Sequence, residues 1–93
     1  MSNKVSVGGK ELGRYYKAVD QQLEDNDEVV LQSRGQENNG KALDVAEIVR
    51  REDDATVEEV STSTAEFEND DGESVRVTEL EVVLEKVEDE GDN

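Results

Sequence analysis

Residues 34–42 read RGQENNGKA. From Gly35 the spacing is Gly, four residues, Gly, Lys. Nucleotide hydrolases use that spacing to cradle phosphate in backbone amides and reach it with a Lys. Here the hydroxyl residue needed for Mg²⁺ is replaced by Ala42, and Glu37 would put a negative charge inside the cradle. No later apolar strand ends in a metal-binding Asp, and six elements are too few for the larger parallel sheet around such sites. A nucleotide hydrolase is therefore disfavoured. What survives is an anion site without a metal, built from helix-start amides, Lys41 in the first turn and Arg34 just before the loop. Such a site suits the phosphate of a polymer.

A second set of cations belongs beside the first. Val5 and Val7 alternate with polar residues in a short strand, and Gly8-Gly9-Lys10 turns the chain into a helix carrying Arg14 in its first turn and Lys17 beyond it. Leu12, Tyr15, Tyr16, Val19 and Leu23 recur at helical spacing, which predicts an amphipathic helix over 11–25. Val29-Val30-Leu31 predicts a buried strand over 28–33, followed by a loop over 34–39. Ala42, Val45, Ala46 and Val49 define the apolar face of a second helix over 40–51. Strands that run in the same direction deliver their following loops to one edge of the sheet. Lys10, Arg14, Arg34 and Lys41 are therefore expected to gather on one rim.

The remaining chain reads as a hairpin. Residues 56–67 are rich in Val, Thr and Ser, Asn69-Asp70-Asp71-Gly72 is a turn signal, and 75–87 is the return strand. In the return strand Val75 and Val77 share one parity, whereas Leu80, Val82 and Leu84 share the other. This change of phase predicts a bulge or strong twist near Thr78-Glu79 and a projecting hairpin tip. The order β-α-β-α-β-β, with two right-handed crossovers, gives an α/β two-layer sandwich: a four-stranded mixed sheet with both helices on one side. Residues 1–87 form a single domain and 88–93 an acidic tail.

Composition narrows the function. With no Cys and no His, the 93 residues have no disulfide, no thiolate or imidazole metal ligand and no imidazole base. No apolar leader or membrane-spanning run occurs, so a soluble cytoplasmic protein is expected. The core is mostly Val, thin enough that a partner subunit is expected to cover more apolar surface. The net charge is −16, but residues 1–51 hold 8 bases against 9 acids, while residues 52–93 hold 2 against 17. The acidic coat stops short of the half that carries the cations. Such a coat suits a folded protein in concentrated salt, where charges are screened within about 3 Å at 1 M.

The carriers of a wider resemblance are VSVGGKELGRYYKAV at 5–19, VVLQSRG at 29–35, KALDVAEIVRR at 41–51 and DGESVRVTELEV at 71–82. In this order they resemble the Alba family of archaeal nucleic-acid-binding proteins, with one extra residue between Gly35 and Lys41. The resemblance implies a chromosome-associated homodimer that binds double-stranded DNA without sequence preference, and RNA, to package or protect it. It implies no catalysis and no cofactor. It matches Lys10, Tyr15, Arg34, Lys41 and Arg76 to nucleic-acid contacts and marks Lys10 as a candidate for acetylation; Arg14, Lys17 and the loop backbone at Gly35 join them as candidates from the clustering of cations and amides in this chain. It also exposes departures: Gly9 replaces the first of a lysine pair, Gln36 a second loop cation, and Glu73 a cation near the hairpin tip that would follow the minor groove. In concentrated salt, counterion release contributes little affinity, so hydrogen bonds, backbone amides and Tyr stacking gain weight, and RNA stands beside DNA as ligand.

Other features read as structure. Tyr15 and Tyr16 lie about 100° apart around a helix, so one of them belongs to the core. With Gly72 at the sixth position of a Ca²⁺ loop, Phe67 would be the first ligand and Thr78 the twelfth, so that pattern fails. Glu24, Asp25, Asp27 and Glu28 read as salt-tolerant surface. The competing reading of the whole chain is an acidic interaction protein that docks on a basic protein partner, since its charge repels DNA in dilute salt.

Overall fold

The computed structural model describes residues 3–52 and 55–87. The expected acidic tail, 88–93, lies outside them. The elements are β1 (Lys4–Val7), α1 (Leu12–Asp25), β2 (Glu28–Arg34), α2 (Gln36–Glu52), β3 (Ala55–Glu68) and β4 (Ser74–Lys86). They form the expected two-layer sandwich, with one sheet in the order β1-β2-β4-β3. β1 and β2 are parallel, and β4 runs antiparallel to both its neighbours.

Alternation decides which sheet face is covered. Val5 and Val7 of β1, Val29 and Leu31 of β2, and Leu80, Val82 and Leu84 of β4 are all buried. The helices answer with Tyr15, Val19 and Leu23 from α1 and Ala42, Val45, Ala46 and Val49 from α2. Leu31 and Leu84 are the largest fully buried side chains, and the rest of that set is Val. At about 1.5–3 kcal/mol for each fully buried aliphatic side chain, a Val core holds the sheet only because both helices lie on the same face.

One boundary differs from the sequence reading by more than a residue. The loop expected over 34–39 is mostly helix: α2 begins at Gln36, and Gly35 alone makes the junction. Gly35 has φ of 87°, a left-handed conformation that disfavours side chains, and its amide donates to Thr78 O at 3.0 Å. Asn39 explains the early start. Its amide donates to Gly35 O (2.8 Å), its Nδ2 to Thr78 O (3.0 Å), and its Oδ1 accepts from buried Ser33 Oγ (2.6 Å). Asn38 Nδ2 donates to Arg34 O (3.1 Å). These bonds outweigh the low helix propensity of two Asn and a Gly.

No bulge lies at Thr78-Glu79. The β3–β4 register is unbroken from Glu59↔Val83 to Glu68↔Ser74, and the irregularity falls between Val57 and Glu59. The parity change in β4 has another cause. β2 ends opposite Glu79, and Thr78 O meets Gly35 and Asn39 at the start of α2, so Ser74–Val77 pairs only with β3 and extends past the end of β2. The hairpin does project, in a molecule measuring 59 × 24 × 23 Å. Its tip is a five-residue turn in which Asn69 Oδ1 accepts from the amides of Asp71 and Glu73, both at 3.0 Å.

At the opposite end of the sheet, the extra residue Glu58 lies beside Glu85, the register partner of Glu28. The charge of Glu58 and a hydrogen bond with it, aided by burial, Glu28 and Asp27, push the Glu85 carboxyl above its ordinary value. A carboxyl with a raised folded pKa binds its proton at a pH where the unfolded chain has lost it. Stability therefore falls as pH rises through and above the ordinary carboxylate range. Glu85→Gln is expected to raise the melting temperature at neutral pH in dilute salt, with the gain shrinking at acid pH and in molar KCl. A calorimetric series over pH and KCl tests this, and an unchanged or lowered melting temperature would count against it.

Candidate functional site

The parallel pairing Lys4↔Val30 through Val7↔Ser33 brings the ends of β1 and β2 level, so the turns that follow share one rim. Lys41 ties them together. From the second turn of α2 its Nζ donates to Gly8 O and to Lys10 O, both at 2.8 Å. The same ammonium lies 5.8 Å from the centroid of the Tyr15 ring, within cation–π range. The Tyr15 hydroxyl completes the clamp by accepting from the Lys10 amide at 3.0 Å.

This arrangement redistributes the expected roles. The Lys41 ammonium spends two of its three donors on backbone carbonyls, so it holds the first turn in shape. Tyr15 is buried, with no open face for stacking; Tyr16 is half-buried and packs against the core's edge. The Lys10 amide bond lowers the Tyr15 phenol pKa; burial opposes it, and the Gly8 backbone and the Lys41 and Lys10 charges assist. The hydrolase-like spacing is accidental. Gly40 and Lys41 lie within α2, where amides serve the helix, and the Lys41 ammonium faces carbonyl oxygens.

Lys10, Arg14 and Lys17 are exposed. Arg14 and Lys17, one turn apart on α1, line a shallow groove with Glu11 and Gln21. Arg34, the last residue of β2, is 64% exposed and forms an ion pair with its register partner Glu79. Gly35 follows it at the junction. Arg76 is separate, out on the hairpin, where its Nε lies 3.7 Å from Glu66. The rim thus gathers Lys10, Arg34, Gly35 and Lys41, with Arg14 one helical turn away, and leaves Arg76 on the arm.

Sequence reasoning missed the other side of Arg34. On the sheet face away from the helices, a cleft of about 470 Å³ is lined by Ser6, Gln32, Arg34, Ser61, Ser63 and Glu79, among others. Ser6 and Gln32 alternate with buried residues along their strands, whereas Ser61 and Ser63 lie on the exposed edge strand. Alternation marks the first pair as facing outward, but no signal in the sequence joins positions 34, 63 and 79. Among the described residues no group of three or more Asp or Glu side chains could hold a metal ion.

Comparison with known proteins settles the family. The family model Alba matches residues 3–66. The chain belongs to the Alba family. It is 32% identical to "DNA/RNA-binding protein Alba" of Methanococcus maripaludis, over 90% of this chain and 98% of that protein. The protein of the same name from Methanocella arvoryzae is also 32% identical, over 90% of each chain. The solved structure of Alba from Thermoplasma volcanium matches with a TM-score of 0.82 and 33% identity, covering 90% of this chain and 100% of that one. ALBA1 from Trypanosoma brucei, at 23% identity and a TM-score of 0.74 over 95% of this chain and 72% of that one, shares the fold.

The clamp can be tested directly. Lys41→Met is expected to keep the fold but lose about 1–3 kcal/mol of stability, the range for hydrogen bonds to a charged group. It should also speed hydrogen exchange at the Lys10 amide and raise the Tyr15 phenol pKa, because a lowering charge is gone. Ultraviolet titration of the tyrosines and exchange NMR read the two effects, and unchanged exchange and titration would argue against the clamp.

Proposed function

We propose that this chain is a homodimeric, non-enzymatic protein that binds double-stranded DNA, RNA or both through the sugar–phosphate backbone, without reading sequence. The observation that carries the reading is the shared rim. Lys41 fixes the first turn against the second, so that Lys10 and Arg34, both exposed, belong to one surface. The relatives named as DNA/RNA-binding proteins support it. Packaging of chromosomal DNA or protection of RNA in the cytoplasm is the corresponding cellular role.

Within this reading the contacts divide by geometry. Lys10 and Arg34 take phosphates, Arg14 and Lys17 extend the track along α1, and Gly35 lets the backbone approach closely. Lys41 and Tyr15 shape the rim. Arg76 contributes little, because Glu66 lies beside it and residues 64–78 hold five carboxylates against one guanidinium. That charge also keeps the hairpin tip out of a minor groove. Lys10, with an exposed side chain, is the lysine at which acetylation would weaken the grip.

The dimer follows from uncovered apolar surface. Val57 and Val60 stand opposite buried Leu84 and Val82, on the helix side of the sheet, yet are 38% and 51% exposed because β3 is the edge strand. Leu43 on α2 is likewise exposed. A second copy covering this margin would close the thin Val core, as a chain of this size favours.

Two experiments test the proposal. Lys10→Ala with Arg34→Ala should weaken binding to mixed-sequence duplex and to single-stranded RNA alike. It should also flatten the dependence of log K on log[KCl] by about 0.9 per lost phosphate contact on duplex. An unchanged isotherm for the folded double variant, measured by fluorescence anisotropy, would refute the rim. Val60→Glu should shift the protein to monomer in sedimentation equilibrium and lower its melting temperature, whereas a parent already monomeric at micromolar concentration would refute the dimer.

A further inference from the structure

Arg34 does not face the solvent unaccompanied. Its Nε donates to Glu79 Oε2, directly across the β2–β4 pair. The other Glu79 oxygen accepts from Ser63 Oγ at 3.4 Å, from the register partner on the opposite flank. One rung further along, Gln32 Nε2 donates to Glu81 Oε2 at 2.7 Å. The Glu79 carboxylate is therefore held from both neighbouring strands at the mouth of the cleft, and only 34% of its side chain is exposed.

A guanidinium carries five N–H donors. One goes to Glu79, and the four on the terminal nitrogens have no protein acceptor among the described residues. An incoming phosphate can take that outer fork while the carboxylate keeps Nε. Two anions then flank one cation, and the carboxylate, fixed by Ser63 and the sheet, has little freedom to withdraw.

We infer that Glu79 is a built-in anionic competitor at Arg34, which weakens the grip on nucleic-acid phosphate in dilute salt and makes that grip less dependent on salt. The inference rests on the reading of the rim as a phosphate-binding surface. At about 5 Å in water, two unit charges repel strongly enough to change an affinity roughly fourfold. At 1 M salt, with a screening length of about 3 Å, most of that penalty disappears. The attraction between phosphate and the rim's cations fades over the same range. The penalty and the attraction therefore fall together, and the net affinity varies less with salt than it would without Glu79.

Glu79→Gln and Glu79→Thr remove the charge, and Thr suits a strand if Gln disturbs it. Each would be compared with the parent, with Arg34→Ala, with Arg34→Ala/Glu79→Gln, and with Glu24→Gln as a control that removes an exposed carboxylate from the far end of α1. Binding to mixed-sequence duplex and to single-stranded RNA is read by anisotropy from about 0.1 M to about 1 M KCl, with melting curves to confirm folding. The expected result is roughly two- to fourfold tighter binding for the Glu79 variants in dilute salt, converging with the parent near 1 M. That gain should exceed the control's and vanish when Arg34 is already Ala. Glu79 variants that match the parent at every KCl concentration, or gain equally at all of them, overturn the inference. If Arg34→Ala weakens binding in that experiment, the phosphate-binding rim stands and only the competitor falls. If Arg34→Ala also changes nothing, the rim itself falls.

Discussion

The parallel pairing of β1 with β2 is the constraint on which the candidate site depends. With Val7 level with Ser33, the chain leaves both strands at one height, and each exit leads into a helix on the same sheet face. Lys41 can then reach the carbonyls of Gly8 and Lys10, which are more than thirty positions away in sequence. A slip of one residue would turn Val5 and Val7 outward and remove the first turn from that ammonium. Burial of the valines and assembly of the rim are thus a single requirement. A core of small side chains meets it only in the correct register.

Charge is arranged along the same axis. At the far end of the sheet, Asp27, Glu28, Glu58 and Glu85 crowd one another enough to hold a proton on Glu85 more tightly than usual. At the rim end, Lys10 and Arg34 are exposed, and Glu79 offsets one of them. A molecule with net charge −16 therefore still places two exposed cations at one rim. In dilute salt the total field would oppose a polyanion, whereas in concentrated salt only contacts within a few ångströms count. The acidic coat and the cationic rim are compatible in the second regime.

Much of this was legible in the sequence. Alternating Val5 and Val7, the spacing of Leu12, Tyr15, Val19 and Leu23, and the run Val29–Leu31 fixed the elements and their order. The gathering of Lys10, Arg34 and Lys41 followed from strand direction alone. The start of α2 was not legible, because Glu37-Asn38-Asn39-Gly40 favours a loop until Thr78 O, a distant partner, receives the Asn39 amide group. The bulge was misplaced because parity reports which face is covered, whereas the extra residue, Glu58, gives no apolar signal. Lys41 was read as a phosphate ligand because its type and position allow either role, and only geometry shows two of its three donors engaged on backbone carbonyls. Glu79 was invisible for the same reason as Thr78: its meaning lies across the sheet.

The parity change in β4 follows from what covers each stretch of the strand. Within the body, Leu80, Val82 and Leu84 point toward the helices. Past Thr78, the last β4 residue hydrogen-bonded to α2, the apolar positions Val75 and Val77 move to the opposite face, paired with Phe67 and Ala65. An isolated two-stranded ribbon is marginal in water. This one gathers its apolar residues on a single face, closes its tip with Asn69, and links Glu66 to Ser74 and Arg76 across the strands. Phe67 nevertheless remains 45% exposed. The arm therefore offers an apolar stripe on one face and, on the other, Glu66 and Glu68 among Thr64, Ser74, Arg76 and Thr78. Arg76 is the one cation of that ribbon and Glu66 lies beside it, whereas Lys10 and Arg34 stand exposed at the rim where β1 and β2 end together.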